Sequence, residues 1–217
     1  KKTKSKHLIC SGGFFQNVSF NKRLLSLGLK EIYIPSAPND AGLSLGAALF
    51  VKMKLFKTKR PKKKLSPYLG VSFDKSEIEK LISDYNLKYK KTKYSWKDCA
   101  KLLTKGKVVG WFQGRAELGP RSLGSRSVLA DPRKIYNKAR VNQLLKKRDW
   151  FMPYAPSILE DKMEFFFNKK ISAPYMSYAL KIEKNANLIP AAVHVDDSCR
   201  PQTVSKITNK LFYKLID

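Results

Sequence analysis

The chain has 217 residues, of which 43% are hydrophobic, enough to bury one sizeable core or two smaller ones. Its formal charge is +27, but the lysines are spread over the whole sequence, which favours a general lysine bias over a nucleic-acid-binding patch. No apolar run approaches the roughly 20 residues of a membrane-spanning helix, so we expect a globular chain that does not cross a membrane.

The three cysteines, Cys10, Cys99 and Cys199, are far apart and lack the CxxC spacing of a metal or redox site. They indicate reduced thiols in a cytosol-like compartment, so we expect a cytoplasmic protein. The chain begins at Lys1 without an initiator Met and ends within the apolar pattern LFYKLID. We therefore expect a piece of a longer protein.

The first predicted elements are a strand from Leu8, a glycine turn and an amphipathic helical segment. The turn contains Gly12 and Gly13, which would let backbone N–H groups face a phosphate. Asn17 follows and offers an amide group to a ribose or a base. These three residues are candidates for nucleotide binding, and a second short strand is predicted over residues 31–35.

Asp40 stands before a helix rich in small residues, which would allow close packing against a neighbour. An aspartate at this position either caps the helix or binds a metal ion, and the residues alone leave both interpretations open. Residues 52–67 form a basic, proline-containing break, and we place an interdomain linker at 56–67. Its RPKKK run at 60–64 also fits a polyanion-binding patch.

Two amphipathic helices are predicted after the linker. Ser76 is expected to cap the first helix. The second is expected to follow Ser95, with Asp98 completing an analogue of a capping box and Gly106 ending the helix.

The stretch that begins at Val108 combines a predicted buried strand with a glycine-rich loop. The loop carries three arginines, Arg115, Arg121 and Arg126. The chain has nine arginines against 35 lysines, and six of the nine fall between Arg115 and Arg148. Because a planar guanidinium group binds the oxygens of an anion two at a time, we predict that the three loop arginines converge on one small-anion site. Salt bridges to residues such as Glu117 and Asp131 are the alternative.

The remaining elements are predicted from their apolar periodicity. They are a helix over 136–148 with a cationic end, an extended segment over 154–159, a short helix over 160–167 and a strand over 178–182. The last informative stretch, 189–204, is interpreted as a short apolar strand followed by a polar loop. The loop carries His194, Asp196, Arg200 and Gln202, and His194 is either catalytic or simply hydrogen-bonded to Asp196.

Five motifs, in this order, resemble the carbamoyltransferase family of the NodU and CmcH type: GGFFQN, PNDAGLSLGAAL, GWFQGRAELGPRSLGSRSVLADPR, KKRDWFMPYAPS and HVDDSCRPQTV. The resemblance covers nearly the whole chain, and the arginine-containing motif is its specific part. One departure is Met152, which stands where the family commonly has an arginine.

The resemblance implies a mixed α/β (α+β) fold. Residues 1–55 would be the C-terminal part of an ASKHA-like, nucleotide-binding carbamoyl-transfer domain. Residues 68–217 would be a truncated YrdC-like domain that forms carbamoyl adenylate, joined to the first by the linker at 56–67.

The implied activity is O-carbamoyl transfer, with carbamoyl phosphate and ATP as substrates and a hydroxyl-bearing small molecule or glycan as acceptor. The implied cofactors are ATP and a divalent metal, iron or magnesium. Catalytic roles would fall to Arg115, Arg121, Arg126 and His194. Binding of carbamoyl phosphate and ATP would fall to Lys147, Arg148, Arg200 and Gln202, binding of the nucleotide to Gly12, Gly13 and Asn17, and binding of the metal to Asp40.

Two other functions stay open on the sequence alone. One is a threonylcarbamoyl-adenylate synthase-like enzyme of tRNA modification, and the other is a polyanion-binding module. We expect no specific nucleic acid and no membrane as partners, and we leave a homodimer open. We also expect that the 217 residues alone lack transferase activity.

Overall fold

The computed structural model describes residues 3–60 and 65–217. Helices and short strands are mixed along both parts, which confirms the predicted α/β class. Residues 61–64 of the predicted linker, and with them most of the RPKKK run, lie outside the described residues. We refer to residues 3–55 as the N-terminal region and to residues 65–217 as the C-terminal region.

The N-terminal region contains a parallel pair of short strands, β1 (His7–Ile9) and β2 (Glu31–Tyr33). The chain between them forms helix α1 (Val18–Leu24), which begins where the Asn17 side chain accepts a hydrogen bond from the Phe20 amide at 3.0 Å. Helix α2 (Leu43–Leu55) follows β2. It includes residues 52–55, so the predicted break at 52–67 is wrong for these four residues, and the helix ends just before the linker placed at 56–67.

Helix α3 (Lys75–Asp84) begins two residues earlier than a cap at Ser76 would place it. Asp74 is the N-cap and forms a capping box with Glu77. The Ser76 hydroxyl instead donates to the Asp74 carboxylate at 2.7 Å. The predicted capping role of Ser76 is therefore wrong, because the aspartate two residues earlier accepts from the N3 amide.

Helix α4 (Ser95–Thr104) starts without a side-chain cap. Asp98, predicted to complete a capping box, accepts a hydrogen bond from the Thr92 hydroxyl at 2.5 Å instead. Gly106, with φ of 75°, follows the end of the helix as predicted.

The arginine-rich stretch folds as an antiparallel pair, β3 (Val109–Phe112) and β4 (Arg126–Leu129), joined by the glycine-rich loop. Strand β4 was expected to be part of the loop. Next to the pair, the Trp111 indole N–H donates to the Gly124 carbonyl oxygen of the loop at 3.1 Å.

Helix α5 (Tyr136–Arg140) continues as wider, π-type turns over Val141–Lys146. The remaining elements are β5 (Ser157–Leu159), α6 (Met163–Phe167), β6 (Leu180–Lys181), β7 (Ser198–Cys199), β8 (Gln202–Val204) and α7 (Lys210–Ile216). Strands β5 and β8 pair in parallel, and β6 and β7 are antiparallel. The strand expected at the start of stretch 189–204 is wrong, because Pro190 begins a 3-10 turn there and cannot donate to a strand ladder.

Two hydrophobic clusters form the core. The larger cluster joins Cys10, Leu24 and Ile34 of the N-terminal region to residues of the C-terminal region that include Met163 and Phe167. The smaller cluster packs α4, β3 and α7 together. The described parts of the chain contain no helix that is both long and apolar enough to span a membrane.

Candidate anion-binding site

Arg200 is the most strongly perturbed cation of the described chain. It follows β7, and its Nε atom is buried without a hydrogen-bond partner in the part of the chain that the structure describes. Burial, together with the positive charges of Arg121 and Arg148, lowers the pKa of Arg200 to about 10. Arg121 and Arg148, from distant parts of the sequence, therefore each lie within electrostatic range of Arg200.

None of these three guanidinium groups forms an ion pair with a carboxylate within residues 3–60 and 65–217. The nearby acidic residues have other partners: Asp131 pairs with Arg133 at 2.7 Å, and Glu117 accepts backbone N–H groups. Like charges repel, so their close placement costs free energy that a bound anion would offset. We therefore take the arginine cluster, Arg121, Arg148 and Arg200, as the candidate anion-binding site.

Arg148 is held in place by a buried asparagine. The Asn142 Oδ1 atom accepts from Arg148 Nε at 2.5 Å and from the Tyr154 hydroxyl at 2.5 Å. The Asn142 Nδ2 atom donates to the carbonyl oxygens of Trp150 and Met152 at 3.0 and 2.8 Å. The Arg148 guanidinium also lies over the Tyr154 ring, 4.5 Å from its centroid. These contacts fix the direction of the guanidinium group before any ligand binds.

The loop that carries Arg121 is organised by Glu117. One carboxylate oxygen, Oε1, accepts from the backbone N–H groups of Leu123 and Ser125 at 2.7 Å and of Arg126 at 3.2 Å. Arg121 itself is half-buried, and burial lowers its pKa. It lines a small cavity together with Tyr175 and residues of the N-terminal region.

The convergence of Arg115 and Arg126 with Arg121 on one anion stays a prediction, and both of these arginines have main-chain partners. Arg115 Nη2 donates to the Leu69 carbonyl oxygen at 2.9 Å. The Arg126 guanidinium donates to four carbonyl oxygens and stacks on the Phe112 ring, 3.5 Å from its centroid. Main-chain carbonyls of the neighbouring segments therefore occupy both guanidinium groups, and a catalytic role for them stays a prediction.

His194 is connected to Asp196 through a serine, not directly. The Ser198 hydroxyl donates to Asp196 Oδ1 at 2.6 Å, and His194 Nδ1 lies 2.9 Å from the same hydroxyl. Burial lowers the pKa of His194; the Asp196 charge opposes this effect, and the charges of Arg200 and Lys138 add to it. His194 is therefore a neutral imidazole at pH 7, within electrostatic range of Arg200.

The two other predicted substrate-binding residues differ in their surroundings. Lys147 is exposed and ends the π-type turns in a left-handed conformation, with φ of 46°. Gln202 is buried; its Nε2 atom donates to the Leu123 carbonyl oxygen at 2.9 Å, and its Oε1 atom accepts from Ser157 at 3.1 Å. Gln202 thus links strands β5 and β8 to the glycine-rich loop between β3 and β4.

The predicted nucleotide-binding residues lie close to the segment that precedes Asp40. The Gly12 N–H donates to the Pro38 carbonyl oxygen at 2.6 Å, and Gly13 approaches the Asn39 side chain. Asn17 caps α1, so its side-chain oxygen is already in use. Nucleotide binding by these residues stays a prediction.

Asp40 does not cap a helix, because Asn39 occupies the N-cap position and Asp40 is the first residue of a 3-10 turn. The cap interpretation is therefore wrong. In the described residues, Asp40 also does not belong to any group of three or more His, Cys, Asp or Glu side chains that could hold a metal ion. A single exposed carboxylate does not fit a metal site by itself, and we derive no chemical step from a metal.

Three residues that support the site were not singled out from the sequence: Asn142, Tyr154 and Ser198. Of the three, only Asn142 has a signal in the sequence, because it is a polar residue next to the apolar Val141 in a predicted helix. In the structure both residues are buried. The other two act through partners that depend on the folded chain.

The fold and the arginine cluster together describe a mixed α/β protein with a candidate site for a small, multiply charged anion. The family model described as Carbamoyltransferase C-terminus matches residues 100–217, and the one described as Carbamoyltransferase N-terminus matches residues 1–49. The chain belongs to the carbamoyltransferase family.

The chain is also similar to three nodulation proteins. It is 37% identical over 227 residues to nodulation protein NolO of Bradyrhizobium diazoefficiens, covering 100% of this chain and 41% of that protein. It is 35% identical over 220 residues to nodulation protein NolNO of Sinorhizobium fredii, covering 98% and 32%. It is 33% identical over 214 residues to nodulation protein U of Azorhizobium caulinodans, covering 98% and 36%. The chain therefore spans 32% to 41% of the length of these relatives.

Proposed function

We propose that the arginine cluster binds the phosphate groups of carbamoyl phosphate and ATP, in an enzyme that carbamoylates a hydroxyl group of a small-molecule or glycan acceptor. The observation that carries this proposal is the placement of Arg121, Arg148 and Arg200 within electrostatic range, without carboxylate partners among the described residues. Membership of the carbamoyltransferase family supports it.

The proposed chemistry has two steps. Carbamoyl phosphate, ATP and water give carbamoyl adenylate, phosphate and pyrophosphate. The acceptor hydroxyl then attacks the carbamoyl carbon, the bond to the adenylate oxygen breaks, and AMP leaves. The first step releases two anions, and guanidinium groups held in fixed directions stabilise such developing charge.

We propose the same division of labour that the resemblance implies. Residues 68–217 would form the adenylate, and residues 1–55 would belong to the domain that transfers the carbamoyl group. Gly12, Gly13 and Asn17 would contact the nucleotide there. If a divalent metal takes part in the transfer, Asp40 would supply one oxygen ligand and the other ligands would come from elsewhere.

The test is pyrophosphate release from ATP by the full-length protein, measured with and without carbamoyl phosphate. In Arg200→Gln we expect KM for carbamoyl phosphate to rise at least about tenfold, because a hydrogen bond to a charged group is lost. The matched control is Arg140→Gln, which removes an exposed guanidinium that donates to the Gly106 carbonyl oxygen at 2.8 Å. The KM of this control variant for carbamoyl phosphate should equal that of the wild-type protein.

The outcomes separate the open functions. Pyrophosphate release that does not depend on carbamoyl phosphate would contradict the proposal. Release that requires threonine and bicarbonate would favour a threonylcarbamoyl-adenylate synthase. Salt-sensitive binding to DNA of any sequence, without pyrophosphate release, would favour a polyanion-binding module.

A further inference from the structure

The hydrogen bonds around His194 determine which of its ring nitrogens carries the proton. A carboxylate only accepts hydrogen bonds, so the Ser198 hydroxyl donates its one hydrogen to Asp196 Oδ1, at 2.6 Å. The same hydroxyl oxygen is then an acceptor for His194 Nδ1, at 2.9 Å. The network therefore assigns the proton of the neutral imidazole to Nδ1 and leaves a lone pair on Nε2.

The Nε2 atom of His194 is a hydrogen-bond acceptor without a partner in the described residues. No protein group within residues 3–60 and 65–217 is hydrogen-bonded to His194 Nε2, and the residue is half-buried. The charged groups that act on the imidazole are Asp196 in its own turn, Arg200 after β7 and Lys138 on α5. Burial first, and then the two cations, keep the ring neutral. The ring is bound to Ser198, two residues before Arg200, so an acceptor lies near a group of the arginine cluster that can only donate.

A cluster of guanidinium groups cannot recognise an amino group, because arginine offers five N–H donors and no acceptor. Carbamoyl phosphate and acetyl phosphate present the same carbonyl and the same phosphate to such a cluster. They differ in one substituent, which is an NH₂ donor in the first and a methyl group in the second. Selection between them requires a hydrogen-bond acceptor beside the anion site.

We propose that His194 is the specificity-determining residue for the carbamoyl NH₂ group, which it accepts at Nε2, and that Ser198 and Asp196 are positioning residues that hold its tautomer. The inference rests on the proposed function of the arginine cluster. It assigns His194 to substrate selection, in place of the proton transfer expected from the sequence.

The experiment compares three probes that share a phosphate group: inorganic phosphate, acetyl phosphate and carbamoyl phosphate. Binding of each to the full-length protein is measured by titration calorimetry. We expect carbamoyl phosphate to bind about three- to tenfold more tightly than acetyl phosphate, the difference that one neutral hydrogen bond makes. In His194→Ala the ratio of the affinity for carbamoyl phosphate to that for acetyl phosphate should fall to about one. The affinity for inorganic phosphate should be unchanged, since the arginine cluster is intact.

Two further variants separate tautomer control from folding. Ser198→Ala keeps the imidazole and removes the acceptor for Nδ1–H, so the ratio should fall without a loss of phosphate binding. Asp197→Asn is the matched control in the same turn, because asparagine tolerates the left-handed conformation of that residue, with φ of 59°. The control should keep the ratio of the wild-type protein.

The pH dependence provides a readout that a purely structural role would not change. Protonation of Nε2 removes the acceptor, and burial lowers the pKa of His194, so the ratio of the two affinities should hold at neutral pH and fall only at a pH below the ordinary histidine value of 6.5. In His194→Ala the ratio of the two affinities should not change with pH.

An unchanged ratio in His194→Ala, or equal affinities of the wild-type protein for the two acyl phosphates, would overturn the inference and leave the proposed function standing. Failure of the wild-type protein to bind any of the three probes would contradict the proposed anion site, and the inference would fall with it.

Discussion

At the scale of single residues, Asn142 has the clearest structural consequence. Its side chain is fully buried and makes four hydrogen bonds, two of which hold Arg148 and Tyr154 while the other two hold the carbonyl groups of Trp150 and Met152. Buried polar networks in which every member is bonded stabilise one arrangement strongly. Asn142 therefore couples the direction of one arginine to the conformation of the chain that follows it.

We predict that Asn142→Ala lowers the free energy of unfolding by at least about 2 kcal/mol, because buried donors and acceptors lose their partners. It should also weaken phosphate binding, since the Arg148 guanidinium is no longer fixed. Urea denaturation and phosphate titration measure the two effects.

The control for this prediction is Gln143→Ala, the exposed neighbour in the same π-type turns. Equal stabilities of the two variants would show that the Asn142 network does not contribute.

At the scale of elements, the glycine-rich loop between β3 and β4 packs against the segment that follows β2. A Cβ atom at Gly119 would lie 2.2 Å from the Ser36 carbonyl oxygen, and Gly119 has φ of 112°. Both the close approach and the backbone conformation require glycine. The loop that carries Arg121 is thus fitted to the main chain of the N-terminal region.

We predict that Gly119→Ala lowers the free energy of unfolding by about 2 kcal/mol or more, since neither backbone can accept the added methyl group without moving. The measurement is chemical denaturation. Gly110→Ala in β3 is the matched control: an added Cβ there meets no atom within 4 Å, and its stability should be kept. A Gly119→Ala protein as stable as the control would mean that the loop is not fitted to Ser36.

At the scale of the whole molecule, the N-terminal and C-terminal regions share a core. The buried Asn21 side chain, for example, donates to the Phe15 carbonyl oxygen at 2.7 Å within its own region and to the Ser177 carbonyl oxygen at 2.9 Å in the other. Ile34, 4% exposed, belongs to the same hydrophobic cluster as Met163 and Phe167. These contacts predict that the two regions unfold together.

We predict that Ile34→Ala, which leaves a cavity in this cluster, lowers the free energy of unfolding by about 2–5 kcal/mol. All three tryptophans, Trp96, Trp111 and Trp150, belong to the C-terminal region. Tryptophan fluorescence should nevertheless show a single unfolding transition, and this transition should report the full decrease in the free energy of unfolding.

Leu43→Ala is the control, because Leu43 of the same N-terminal region is 68% exposed. A tryptophan transition that Ile34→Ala leaves unchanged would show that the regions unfold independently, as separate domains would.

The sequence by itself determined the mixed fold class, most of the helices and the family, since these follow from apolar periodicity and from contiguous motifs. It also indicated an anion site, because six of nine arginines are concentrated between Arg115 and Arg148. Which arginines meet was decided only by the tertiary structure. Arg121 and Arg148 lie within electrostatic range of Arg200 although up to 79 residues of chain separate them from it, whereas Arg126 donates to main-chain carbonyl oxygens. Periodicity describes local backbone, but the direction of a side chain depends on which distant groups pack against it, and that information exists only in the folded chain.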